Sequence, residues 1–267
     1  MNNTKDSKIV HKNVIHIDDY NNKSKSSYIS KSDMLNAKGI ENYVTNVLYE
    51  SFYETHSIVL NDDVMVYLLQ VIYKNKEIVR NLNKLIFSDK YTYKHSINTA
   101  ILSILIGMLL KLNNDKLVEI AISGLLHDIG KSNIPIAILN KEDSLTEQEF
   151  IVIKKHCEYG YAMIKDSKNL SENIKEGILS HHEKIDGKGY PRGLRGDNIS
   201  LYARILSVAD VYDALVSDRP YHKPCKPKRA IEMMLLDEGK FDDNILCCFV
   251  DYINKRAISS DTKEVIL

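Results

Sequence analysis

The chain has no excess of either charge, with Lys plus Arg and Asp plus Glu at 36 each among its 267 residues. That balance creates no global field to draw it onto duplex nucleic acid or an anionic membrane, so any anionic ligand must be held by a local cluster. Cysteine is scarce too. The four thiols, Cys157, Cys225, Cys247 and Cys248, form no Cys-x-x-Cys pair and share no regular spacing. With no apolar secretory segment at the polar N-terminus either, they point to a reducing cytoplasm and read as structural thiols. Long apolar runs are missing as well. The longest, Ala100 to Leu110, is broken by Ser103 and Gly107 and is about half the roughly 20 residues a membrane span needs. It reads as a buried core helix. Strand-like alternation, internal repeats and a Gly-rich phosphate loop after a strand are all absent.

What is present is apolar periodicity at helical spacing, and the length allows one large helical domain plus an extension, or two modest domains. Residues 1–36 are rich in Asn, Lys, Ser and Asp and read as a disordered tail. Residues 37–90 are helical in pattern through Tyr43, Val47, Val64, Leu68 and Ile72. They form either a regulatory or dimerising extension or extra layers on the core. Residues 91–257 hold the polar residues of interest, and 258–267 read as a frayed tail.

Within that domain the spacing predicts a helix over 92–111 with His95 in its first turn. A second, over 115–129, is apolar on nearly all sides and ends in Leu-His127-Asp128-Ile-Gly-Lys131. If this helix continues, Lys131 shares a face with His127. Thr146 and Glu149 make a capping box for a helix to about Lys165 that carries His156 and Gly160. Ser171 caps a helix ending in His181-His182-Glu183, followed by the tight loop Lys184 to Pro191. Ser200 opens a helix with Asp210 and Asp213 on one face, leading to the basic turn Arg219-Pro-Tyr221-His222-Lys223. Two further helices surround Gly239 to Asp242.

Any one of these histidines is more often a satisfied core residue than a ligand. Together, His95, His127, Asp128, His156, His181, His182 and Asp210 come from five segments, at the ends or inner faces of successive apolar helices. Side chains that project inward from facing helices are how bundles build metal sites, and so many buried imidazoles would otherwise leave polar atoms to satisfy. Seven donors exceed one tetrahedral ion but suit two divalent ions that share Asp128. With only nitrogen and oxygen in the set, Fe, Mn, Zn, Co and Ni are favoured over softer ions.

Tyr-Lys-His95-Ser, His127-Asp128-Ile-Gly-Lys131, His156 with Gly160, His181-His182-Glu183 through Gly189-Tyr190-Pro191, Asp210 with Asp213, and Arg219-Pro-Tyr221 resemble the HD-GYP family of bacterial phosphodiesterases. That family is a branch of the HD metal-dependent phosphohydrolases, and the match covers about residues 90–250. The resemblance implies an all-helical HD-domain fold and hydrolysis of cyclic di-GMP, with either linear pGpG or GMP as the product. It also implies that the seven His and Asp positions hold the metals, Fe or Mn foremost, with Asp128 bridging them. Lys131 and the basic turn would meet substrate phosphates. The chain departs from the family at Tyr91, where three-metal members carry a glutamate, so two metals are expected. It departs again at His222, which stands where the family has a second basic residue after Arg219, although Lys223 adjoins it in this chain.

The chemistry expected of such a site is attack by a hydroxide shared between two cations on phosphorus, in line with the leaving ribose 3′ oxygen. Lys131 would add charge at a non-bridging oxygen, and Arg219 would fork onto a phosphate. Tyr190 either stacks on guanine or packs its own loop; Asp213 either contacts a base or supports a ligand. The rival readings are an HD phosphohydrolase for another cyclic dinucleotide or nucleotide, and a non-hydrolysing cyclic-dinucleotide sensor. The same segment, 37–90, is the candidate homodimer contact.

Overall fold

The computed structural model describes residues 90–141, 143–218 and 223–264, with side chains described between 92 and 255. The tail at 1–36, all of the extension but residue 90, the Tyr91 side chain, Arg219, Tyr221 and His222 lie outside the described residues. Among those described, every regular element is helical, which is the all-α class read from the sequence. No helix among them is long and apolar enough to cross a membrane.

Helix α1 (Lys90–Leu109) is the axis of the bundle. Its apolar residues Tyr93, Ile97, Ile101 and Ile104 are buried, and so are Ser96, Asn98, Thr99 and Ser103 on its other faces. A helix enclosed on all sides needs neighbours on all sides. Helix α2 (Asn114–Leu126) starts where the Asn113 side chain accepts from the Lys116 N–H and is buried from Ile120 to Leu126. It lies very close to α1: a Cβ added at Gly124 would stand 2.7 Å from the Ala100 Cα.

The predicted second helix ends at Leu126, short of the expected 129, and a 3-10 turn (Ile129–Asn133) follows. His127 and Asp128 therefore occupy the junction. Helix α3 (Ile136–Leu139) is one short turn. The capping box at Thr146 and Glu149 is formed in both directions and opens α4 (Glu147–Lys154). The single helix expected through Lys165 is instead divided, because α5 (His156–Ile164) starts anew at His156. The His156 ring Nδ1 donates to the Ile153 carbonyl at 2.8 Å, taking up an acceptor at the end of α4.

Helix α6 (Glu172–Ser180) is capped by Ser171, whose side chain accepts from Ile174 N–H. A 3-10 turn (Gly196–Asn198) precedes α7 (Leu201–Val216), capped by Ser200. Helix α8 (Pro227–Leu236) begins with the proline that suits a first helical position. Helix α9 (Asp243–Glu264) runs past residue 257, where the sequence suggested an end, since no proline or glycine interrupts it. Helices α7 and α2 flank α1, α6 rests on α2, α5 and α7, and α5 packs against the 3-10 turn after α2. Phe249 of α9 closes one side, edge-on to Tyr212 of α7 with ring centroids 4.9 Å apart. The ends of α2, α5 and α6 consequently meet beside α1 and α7.

Candidate metal centre

All seven predicted donors converge where those helix ends meet. His127 and His181 are the C-cap residues of α2 and α6, His156 is the first residue of α5, and His95 and Asp210 face them from α1 and α7. The contact that brings α5 in is backbone on backbone. A Cβ on Gly130 would lie 1.9 Å from the His156 carbonyl oxygen and 2.5 Å from Gly160 N, so only glycine lets the turn after Asp128 seat on the start of α5. Gly160, one turn after His156, is the other half of that contact.

Three of the histidines are oriented in the same way. His127, His156 and His181 each place ring Nδ1 2.7–2.8 Å from the carbonyl oxygen three residues earlier, on Gly124, Ile153 and Ile178. A carbonyl only accepts, so Nδ1 carries the hydrogen and Nε2 is left with its lone pair directed inward. Fixing the tautomer through the remote nitrogen is the arrangement that metal-ligating imidazoles use. His95 is held from the same side of its ring, with Nδ1 2.6 Å from Asp213 Oδ2. Asp213 is fully buried and also accepts from Asn98 Nδ2 and Ser217 Oγ, each at 2.8 Å. It therefore touches a candidate ligand and is shut off from any bound base.

Asp128 stands between two groups of donors. Its Oδ2 lies 3.3 Å from His127 Nε2 and 3.8 Å from His95 Nε2, and His95 Nε2 is 2.9 Å from Asp210 Oδ1. Its Oδ1 faces the other way, 3.4 Å from His156 Nε2, which is 3.3 Å from His181 Nε2. His182 stacks on His181 with ring centroids 4.2 Å apart and brings Nδ1 to 3.9 Å from Asp210 Oδ2. Asp128 Oδ1 and His127 Nε2 are buried without a hydrogen-bond partner. Leaving such atoms unmatched costs about 1–3 kcal/mol each.

The electrostatics agree. Burial alone would push the carboxyls of Asp128 and Asp210 up, but Lys131 and His127 on one, and His95 on the other, hold both well below the usual range. Burial lowers His156 to about 4 and His182 to about 3, and holds His181 well below its ordinary value. Near neutral pH these imidazoles are uncharged donors around two anionic carboxylates. Two neutral nitrogens whose lone pairs meet at 3.3 Å repel unless a positive charge lies between them, so the residues present fit a bound divalent cation.

Lys131 does not share a helical face with His127, since the α-helix has ended. Its Nζ instead donates to Asp128 Oδ2 at 2.6 Å, and the side chain is part-exposed at the rim. Tyr190 lies against the His182 ring at 4.7 Å, with an interplanar angle of 33°. The loop that carries it is pinned by Glu183, 2 % exposed, which accepts from the Arg192 and Leu194 N–H groups at 2.7 and 2.9 Å. Gly189 lets that loop close, since a Cβ there would stand 2.4 Å from Glu183 Cα. The Tyr190–Pro191 peptide is cis. Lys223 is exposed, next to the undescribed Arg219 to His222.

Cys157, read from the sequence as a structural thiol, is fully buried with Sγ 3.5 Å from His156 Nε2.

The model of the HD domain family matches residues 80–245. A cyclic di-GMP phosphodiesterase of Pseudomonas aeruginosa is 43% identical over 170 residues, which are 64% of this chain and 41% of that protein. A 3'3'-cGAMP-specific phosphodiesterase of Vibrio cholerae is 42% identical over 116 residues, 43% of this chain and 22% of that one. The chain thus spans less than half the length of these relatives. Among solved structures, Bd1817, an HDG"Y"P protein of Bdellovibrio bacteriovorus, superposes with a TM-score of 0.57 at 22% identity, covering 85% of this chain and 74% of that one. With the family model spanning well over half the residues, and with His127 and Asp128 at the centre of the donor cluster, the chain belongs to the HD domain family.

Proposed function

We propose that this chain is a metal-dependent phosphodiesterase of the HD-GYP branch that opens cyclic di-GMP to linear pGpG. The observation that carries the reading is the divided aspartate: Asp128 offers one oxygen to the His95, His127 and Asp210 group and the other to the His156 and His181 group. His95, His127, Asp128 and Asp210 would hold one ion, and Asp128, His156, His181 and His182 the second, with iron or manganese the proposed pair. Divalent cations there supply Lewis-acid activation of water and neutralise phosphate charge.

The protein's own groups do the rest. Lys131, part-exposed beside Asp128, can turn its ammonium to a non-bridging phosphate oxygen where charge builds up. Tyr190 offers a ring at the rim beside His182, a platform for a guanine. Arg219, with His222 and Lys223, is proposed to hold the second phosphate, the guanidinium by two parallel bonds. Asp213 acts through His95, fixing which nitrogen faces the site. Residues 91–257 are the proposed catalytic domain, and 37–90 a regulatory or dimerising extension, in a cytoplasmic protein.

The test is turnover. Full-length protein loaded anaerobically with Fe(II) or Mn(II) should convert cyclic di-GMP to pGpG, separated by chromatography, and Asp128→Ala should abolish this along with metal retention. No hydrolysis with any first-row metal overturns the proposal. The Vibrio relative favours a second reading, in which the substrate is 3'3'-cGAMP. Parallel assays of the two dinucleotides separate them by kcat/KM.

A further inference from the structure

We infer that the second ion of this centre is held in part by sulfur, with Cys157 Sγ as a ligand beside His156 Nε2, His181 Nε2, Asp128 Oδ1 and the His182 ring. This rests on the two-ion reading above and adds a residue to it.

The distances carry the inference. Metal–nitrogen bonds of about 2.0 Å and metal–sulfur bonds of about 2.3 Å that open at about 110° separate two nitrogens by about 3.3 Å, and a nitrogen from a sulfur by about 3.5 Å. His156 Nε2 and His181 Nε2 are 3.3 Å apart, and Cys157 Sγ is 3.5 Å from His156 Nε2. Asp128 Oδ1, buried without a hydrogen-bond partner, lies 3.4 Å from His156 Nε2. The donor atoms of Cys157, His156, His181 and His182 all fall within 4.8 Å of one another. The spacings around His156 are those of a coordination shell's edges.

Chemistry agrees with geometry. Cys157 is fully buried, as is the His181 ring with which it shares the site. When an ion binds, the S–H bond breaks, sulfur supplies both electrons of the new metal–sulfur bond, and the proton leaves to solvent. No oxidant or reductant is needed. A thiolate makes this subsite softer than its nitrogen-and-oxygen neighbour, so the two ions should differ, with the thiophilic one on the Cys157 side.

The experiment uses the full chain, stripped with a chelator and reloaded with Co(II) or Zn(II). Cobalt-loaded protein should show a near-ultraviolet thiolate-to-cobalt charge-transfer band, absent in Cys157→Ser and retained in Cys225→Ser, Cys247→Ser and Cys248→Ser. X-ray absorption on the zinc form should include one sulfur at about 2.3 Å in addition to the shorter nitrogen and oxygen shell. Because the wild-type spectrum alone reads the sulfur, a Cys157→Ser protein that fails to fold does not remove the test. Two bound ions per chain with only nitrogen and oxygen neighbours would overturn the Cys157 assignment and leave the metal centre standing. Failure of the wild type to bind any cobalt or zinc would overturn the metal centre and this inference with it.

Discussion

At the scale of single residues, the centre is governed by which atom of each imidazole is left bare. Backbone carbonyls settle this for His127, His156 and His181, so no substitution of a second side chain can release them. His95 is the exception, since Asp213 holds its Nδ1. Asp213→Asn is therefore expected to lower metal affinity by roughly 10–100-fold, the usual cost of losing an outer-shell carboxylate, read by competition with a chromophoric chelator. If affinity is unchanged, Asp213 does not set the His95 tautomer. Lys131→Ala should retain metal and lose most turnover. Metal lost in that variant would instead assign Lys131 to holding Asp128 in place.

The depressed histidines also give metal-free protein a definite acid sensitivity. His156 titrates at about 4 and His182 at about 3 in the fold, against about 6.5 in an unfolded chain. The unfolded state thus binds more protons across that interval, and stability falls as pH drops from about 6.5 toward 4. Denaturant midpoints of chelated protein measured at pH 7 and pH 5 should show the loss, and a flat profile would contradict the buried, neutral assignment.

At the scale of elements, the decisive contact is the turn after α2 seated on the start of α5. Gly130→Ala forces a Cβ into the His156 carbonyl, and because the obstacle is backbone, the two segments must part. A cost of several kcal/mol is expected, at or beyond the roughly 1–3 kcal/mol of ordinary overpacking. Metal stoichiometry should fall even in protein that still folds. Circular dichroism with metal analysis separates the two effects. The loop after α6 depends on one carboxylate: Glu183→Gln keeps the shape but leaves one acceptor oxygen for two backbone N–H groups and sets an amide NH2 against one of them. The expected result is a raised KM with the metals retained.

The same scale shows how much was legible. Thr146, Ser171 and Ser200 marked their helix starts, because capping is a contact between a side chain and a backbone group a few residues away. The break at Lys155 was not legible, because 146–165 has unbroken helical periodicity and the division arises from the His156 ring reaching back to Ile153. The end of α2 at Leu126 was missed for a related reason: the 3-10 turn that follows is seated against α5, an element distant in sequence.

For the whole molecule, the metals should act as staples. The proposed ligands come from α1, α5 and α7 and the ends of α2 and α6, so ions that bind only the folded chain would stabilise all of it. Free metal at 100 times Kd would add about 2.7 kcal/mol. For a domain of this size that is on the order of 5–10 °C in Tm. Calorimetry before and after chelation checks this, and an unchanged Tm would mean the donors hold no ion in the native protein.

Local pattern alone determined the helical class, the capped starts and the polar positions at which a site could be built, since these depend on residues within a turn or two of one another. Tertiary structure alone decided that Asp128 divides its oxygens, that Asp213 serves His95, and that Cys157 turns its sulfur toward His156. Those arrangements follow from five helices packed at close range, and no stretch of the chain carries the distance between its own atoms and those of a segment many residues away.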